Sequence, residues 1–286
     1  MTGKIIFNVA RAGLLFAAGT ANAAVIQVSE GDFIAGSGLI TFSEFGVGTI
    51  NPIYAPVTYG GGVGSPTVTF DGFFAGQALS GAPGVDCPGA SASACVAGSP
   101  SDPLALDAAS PDTFITTDSA NPTSPVLSGS PRFNGPIAVF FDVDVAGVGF
   151  DGGFFDAVGS TGITAFARDG ALLGTVVNSI TGIEFLGLVT ENGRAAIAGV
   201  FLDMEGSEPA GFAIDNLRFG IASEVGVPIA PGPLPGDVLA ATEAAKTMKP
   251  GLFQIFSDSG FADGVDGFDP AKETFVLVNG WNGIDT

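Results

Sequence analysis

The chain has 286 residues, a formal net charge of −20 from 9 basic and 29 acidic side chains, 44 glycines, 25 phenylalanines and no histidine. So few cations cannot track a phosphate backbone, which excludes nucleic-acid binding, and with only 13% charged residues the composition is not that of a disordered polyelectrolyte. Without histidine there is no Ser-His-Asp or Cys-His arrangement, and the commonest zinc and copper ligand is missing.

Residues 1–23 read as a secretory signal peptide. Lys4 and Arg11 are the positive start, AGLLFAAG is the apolar core, and Ala21-Asn22-Ala23 is the small-residue cleavage site. The apolar run is too short to span a bilayer, so no membrane span is expected after its removal. The expected location is outside the cytoplasm: secreted, periplasmic or on a bacterial surface.

From Ala24 the pattern is all-β. Val25–Val28 and residues 39–42 read as strands, then 57–59 and 67–70, with Asp71-Gly72 as a turn signal. Residues 75–134 are rich in Ser, Ala, Gly and Pro. They read as a long irregular region, a binding loop or a disordered insertion, with one strand at 114–117. This region holds the only cysteines, Cys87 and Cys95. In an exported protein these pair, and the loop-entropy argument gives such a clip about 2–3 kcal/mol.

Residues 138–142 and 145–150 read as one kinked strand or two short ones, followed by a turn at Asp151-Gly152-Gly153. Residues 163–168 and Leu172–Val177 form a hairpin across Arg168-Asp169-Gly170-Ala171. Strands at 183–189, 195–204 and 212–219 close the domain. Residues 24–220 are thus expected to be an antiparallel β-sandwich.

Residues 221–250 carry a Pro-rich linker and one short helix at 238–249, stopped by Pro250-Gly251. Residues 251–286 read as a partial second domain, because the apolar run 274–278 needs strand neighbours and none follow.

Three groups of residues carry candidate chemistry. Glu44 lies near the front of the sandwich, and Asp215 and Asn216 lie in its last strand. First and last strands of a sandwich commonly meet, so these oxygens are candidate calcium ligands, joined at a strand end by Asp142, Asp144 or Asp151. The alternative is solvated acids in ordinary turns. Asp258, Asp263, Asp266 and Asp269 form an acidic, glycine-rich loop that lacks the EF-hand order, so Asp-Gly turns are the leading reading there. Tyr54, Tyr59 and Trp281 are the few Tyr and Trp side chains able to stack on a sugar.

The segments ITFSEFGVGT, PIAVFFDVDVAGVGFDGG, ITAFARDGALLGTV and GFAIDNLRFG resemble the exported β-sandwich domains of bacterial PEP-CTERM-type surface proteins, which are similar to lectin-like jelly rolls. The resemblance spans about residues 25–220. It implies a jelly roll, export and calcium at Asp215. The Pro-Glu-Pro motif, membrane helix and terminal Arg cluster of that family are missing from the sequence. Separately, GFDPAKETFVLVNGWNG resembles the opening of an α/β-hydrolase lipase or esterase domain. There Asn279 replaces the usual His, and Gly280 and Trp281 match an oxyanion-hole loop. No G-x-S-x-G occurs, so no catalytic residue is assigned.

The leading expectation is a secreted, non-catalytic β-sandwich that binds polysaccharide or cell-surface glycan, stabilised by calcium. The alternatives are an accessory domain of a truncated lipase or esterase, and a structural envelope protein.

Overall fold

The computed structural model describes residues 24–221 and 223–226, together with a separate two-stranded hairpin at 254–257 and 260–263. In chain order the strands are β1 (Val25–Val28), β2 (Gly38–Ile40), β3 (Ile53–Tyr54), β4 (Val68–Asp71), β5 (Ala78–Leu79), β6 (Val96–Ala97), β7 (Thr113–Thr117) and β8 (Pro125–Gly129). They continue with β9 (Ala138–Val145), β10 (Gly147–Phe155), β11 (Thr161–Phe166), β12 (Leu172–Val177), β13 (Gly182–Thr190), β14 (Ile197–Met204) and β15 (Ala213–Gly220). The only helices among the described residues are single turns, such as α1 (Pro56–Tyr59) and α2 (Pro83–Asp86).

The fold is all-β and antiparallel. One sheet runs β1-β13-β10-β15-β8-β7, with β2 also on β15; the other runs β12-β11-β14-β9-β4-β3. Ile40, Leu127 and Phe150 from the first sheet and Tyr54, Phe70 and Phe141 from the second lie in one buried cluster. Two sheets that share a core in this way are a sandwich. From β8 onward the chain crosses between sheets at every connection except the β11–β12 hairpin. Each fully buried phenyl ring contributes about 1.5–3 kcal/mol relative to an exposed one.

The second sheet is also covered on its outer face. Phe73, Phe74 and Leu104, from the segment around the β5–β6 ribbon, pack on Ala138, Phe166 and Phe201. As a result β11 is buried at every position and β14 at all but one. On the first sheet, Val28 and Val189 are covered by Phe33 and by Val225.

Several expectations change. Residues 57–59 are helical rather than extended, because Pro56 pre-sets the first turn and Gly60 supplies the left-handed C-cap at φ +77°. Residues 75–134 carry two short strands, a helical turn, the disulfide and the β7–β8 hairpin. Asp151-Gly152-Gly153 is not a turn. It lies inside β10, where the register against β15 slips between Gly149 and Asp151. Residues 138–155 form two long strands in different sheets, joined at Ala146. The β11–β12 hairpin forms as expected.

The hairpin β16 (Gln254–Ser257) and β17 (Gly260–Asp263) pairs antiparallel. The signal-peptide segment, the 238–249 helix, most of the acidic loop, and Asn279, Gly280 and Trp281 lie outside the described residues.

Candidate functional site

The last strand positions the candidate cation site. Along one edge, β15 pairs with β2 through residues 217–219 and with β8 through Ile214. Asp215 and Asn216 fall at the change of partner. Asn216 has φ +50°, a left-handed conformation that Asn tolerates better than other non-glycine residues. The extra residue in β15 against β10 at this point is a β-bulge, which re-aims the neighbouring side chains.

Asp215 is 2% exposed. Its Oδ1 accepts the Asn216 N–H at 2.7 Å and its Oδ2 accepts the Asn121 amide at 2.7 Å. Burial pushes its carboxyl up, while hydrogen bonds from Asn216, Asn121 and Ser124 pull it back. Glu44 arrives from the chain leaving β2, which turns at Phe42 with φ +55°. Its Oε1 accepts both the N–H and the hydroxyl of Thr41 at 3.0 Å. Its Oε2 is buried and has no donor.

Tyr54 comes from the opposite sheet. Its ring is fully buried and makes edge contacts with Phe42, Phe45 and Phe70. Its hydroxyl has no hydrogen-bond partner. Burial drives the phenol far above its ordinary ionisation range, and the charges of Glu44 and Asp215 push in the same direction. Both carboxylates therefore act on one buried oxygen.

Glu44 and Asp215 are thus linked through their common effect on the Tyr54 hydroxyl. Asn216 is adjacent, but its amide nitrogen is bound to Asp151 Oδ2 at 2.8 Å. Through that bond Asp151 borders the site. Asp142 and Asp144 do not: Asp142 accepts the Thr67 N–H at 2.7 Å, and Asp144 accepts Arg168 Nε at 3.0 Å. Among the described residues no group of three or more His, Cys, Asp or Glu side chains forms a metal cage. A cation here would rest on two carboxylates together with neutral oxygens, a set of hard donors that suits calcium.

Of the aromatic candidates for sugar stacking, Trp281 lies outside the described residues, and Tyr54 and Tyr59 are engaged with the core. Tyr54 is a core residue, and Tyr59 packs edge-on against Phe219 with ring centroids 5.2 Å apart. Two open clefts present polar groups instead. One, of about 380 Å³, is bordered by Asp102, Asp144, Arg168 and Asp169. The other, of about 540 Å³, is bordered by Glu30, Asp32, Glu184 and Phe185.

The chain matches no protein-family model, no curated protein and no solved structure.

A second buried acid escaped the sequence reading. Glu208, in the β14–β15 loop, has no solvent exposure. Burial pushes its carboxyl up to about 7 from the usual 4.5; the Asp156 N–H and the Ser160 hydroxyl oppose the rise, and the Asp156 carboxylate adds to it. Nothing in GSEPAG distinguishes this glutamate from one in a solvated turn. Cys87 and Cys95, both buried, form the expected disulfide close to this loop, where Ser91 N–H donates to the Glu208 carbonyl at 2.9 Å.

Proposed function

We propose that this chain is an exported, non-catalytic recognition module, a β-sandwich braced by calcium that binds neutral polysaccharide or cell-surface glycan. The observation that carries the calcium reading is the donorless, buried Glu44 Oε2, on a side chain whose charge acts on the Tyr54 hydroxyl together with that of buried Asp215. An unpaired buried carboxylate oxygen is costly, and a divalent cation removes that cost. Glu44 and Asp215 would hold the ion, and its charge would fix the β2 exit against β15. The jelly-roll relationship implied by the segment resemblances fits the same reading.

The glycan reading is supported by the two open, carboxylate-bordered clefts. Carboxylates accept hydrogen bonds from sugar hydroxyls. A net charge of −20 repels polyanionic chains and favours uncharged ones. The hydrolase-like residues 267–283 contribute nothing to this reading.

Thermal unfolding tests the calcium claim. Calcium at ~100 times its Kd adds about 2.7 kcal/mol to the folded state, and Glu44→Gln or Asp215→Asn removes that gain. A wild-type melting temperature that is identical in calcium and in chelator refutes it. Flat calorimetric titrations of folded protein against a panel of neutral polysaccharides refute the glycan claim.

A further inference from the structure

The loops β10–β11 and β14–β15 enclose a carboxyl that the proposed function does not use. Glu208 Oε2 accepts the Asp156 N–H at 3.0 Å, the Ser160 hydroxyl at 2.8 Å and the Thr161 hydroxyl at 3.4 Å. Its main-chain carbonyl accepts Ser91 N–H from the disulfide loop. Asp156 Oδ2 in turn accepts the Ala210 N–H at 2.9 Å. One side chain and its neighbour therefore join three segments that are distant in sequence. Glu208 Oε1 remains buried without a donor, and the carboxylate of Asp156, whose own N–H is bonded to Glu208 Oε2, is the charged neighbour that adds to the rise of the Glu208 carboxyl.

Two carboxylates in that arrangement combine like-charge repulsion with a desolvated, unpaired oxygen. A single proton relieves both, because a protonated Glu208 is a donor and Asp156 is its acceptor. We propose that Glu208 is a proton-operated latch: protonated, it donates to Asp156 and holds the β10–β11 loop, the β14–β15 loop and the disulfide loop together, and ionised, it lets that end of the sandwich open.

On opening, the carboxyl O–H bond breaks and the proton passes to bulk water. Asp156 is the titratable group facing Glu208 from the β10–β11 loop. The groups facing it from β11 and from the disulfide loop, Thr161 and Ser91, are neutral, as is Ser160 just before β11. Glu205, on the same loop as Glu208, is perturbed by its own burial and by Asp203. The latch shares no residue with the Glu44 and Asp215 pair.

Amide hydrogen exchange at pH 5.5 and 8.5, normalised to the intrinsic chemical rate at each pH, tests the latch. The Ser91, Asp156 and Ala210 amides should lose protection by at least about tenfold at the higher pH, while β14 amides keep theirs. Glu208→Gln carries a donor at both pH values and should abolish the loss. Asp156→Asn offers a donor to ionised Glu208 and should shrink it, which keeps the test decisive if the first variant does not fold. Equal wild-type protection at the two pH values overturns the proposal, as does a loss that persists in Glu208→Gln. Calcium-dependent protection of these three amides in Glu44→Gln protein also overturns it, by putting a cation where the proposal puts a proton.

Discussion

Replacing Tyr54 with Phe should stabilise the calcium-free protein. The Tyr54 ring is fully buried, and its edge contacts with Phe42, Phe45 and Phe70 do not involve the hydroxyl. The hydroxyl itself is buried without a partner. Removing an unsatisfied buried polar group returns its desolvation cost, about 1–3 kcal/mol. For a domain of this size each kcal/mol moves the melting temperature by about 2–4 °C, so a rise of roughly 2–12 °C is expected. The assay is thermal unfolding by circular dichroism or calorimetry, with chelator present so that no cation contributes. A lower melting temperature for Tyr54→Phe would refute the reasoning. It would mean that the hydroxyl dipole stabilises the Glu44 and Asp215 charges by more than its desolvation costs.

Three other perturbations have definite signs. Cys87→Ala with Cys95→Ala should cost about 2–3 kcal/mol in denaturant unfolding, because the bridge closes a loop with a sequence separation of only 8. Gly211→Ala should cost more than about 3 kcal/mol or prevent folding. Gly211 has φ +79°, its new Cβ would be driven into the Phe133 carbonyl, and that carbonyl accepts the Phe212 N–H at 2.7 Å. Stability should fall from mildly acidic to alkaline pH. Glu208 is raised from 4.5 to about 7 in the folded state, so its contribution is fully present below 4.5 and is lost as pH climbs through about 7. At ~1.4 kcal/mol per tenfold change this amounts to about 3 kcal/mol. Burial raises Asp203 and Glu205 in the same direction, and urea unfolding across pH 4–9 reads the combined trend.

The all-β class was legible because Gly-rich turns separate short Val, Ile and Phe runs, and the pairing of front and last strands was legible in outline. β2 does lie on β15, which brings Glu44 toward Asp215. Other features depend on contacts far apart in sequence. The run TGITAF shows no alternation because Phe73, Phe74 and Leu104 cover the face that would otherwise meet water. Asp151-Gly152-Gly153 has turn chemistry, yet pairing with both β13 and β15 keeps it extended. Tyr54 looked like a sugar platform because its burial is supplied by Phe42, just after β2, and by Phe70 in β4. Glu208 carries no local signal. Its importance comes from Asp156 and Ser160, about fifty residues earlier.

Where the chain leaves the sandwich, Ile34 N–H donates to the Glu224 carbonyl at 3.0 Å and Gly226 N–H to the Asp32 carbonyl at 2.6 Å. Val225 joins Val28 and Phe33 in the same small apolar cluster. The segment entering the domain is thus fastened to the segment leaving it. A pull on the departing end would first peel this short seam, bond by bond, before tension reached the central strands.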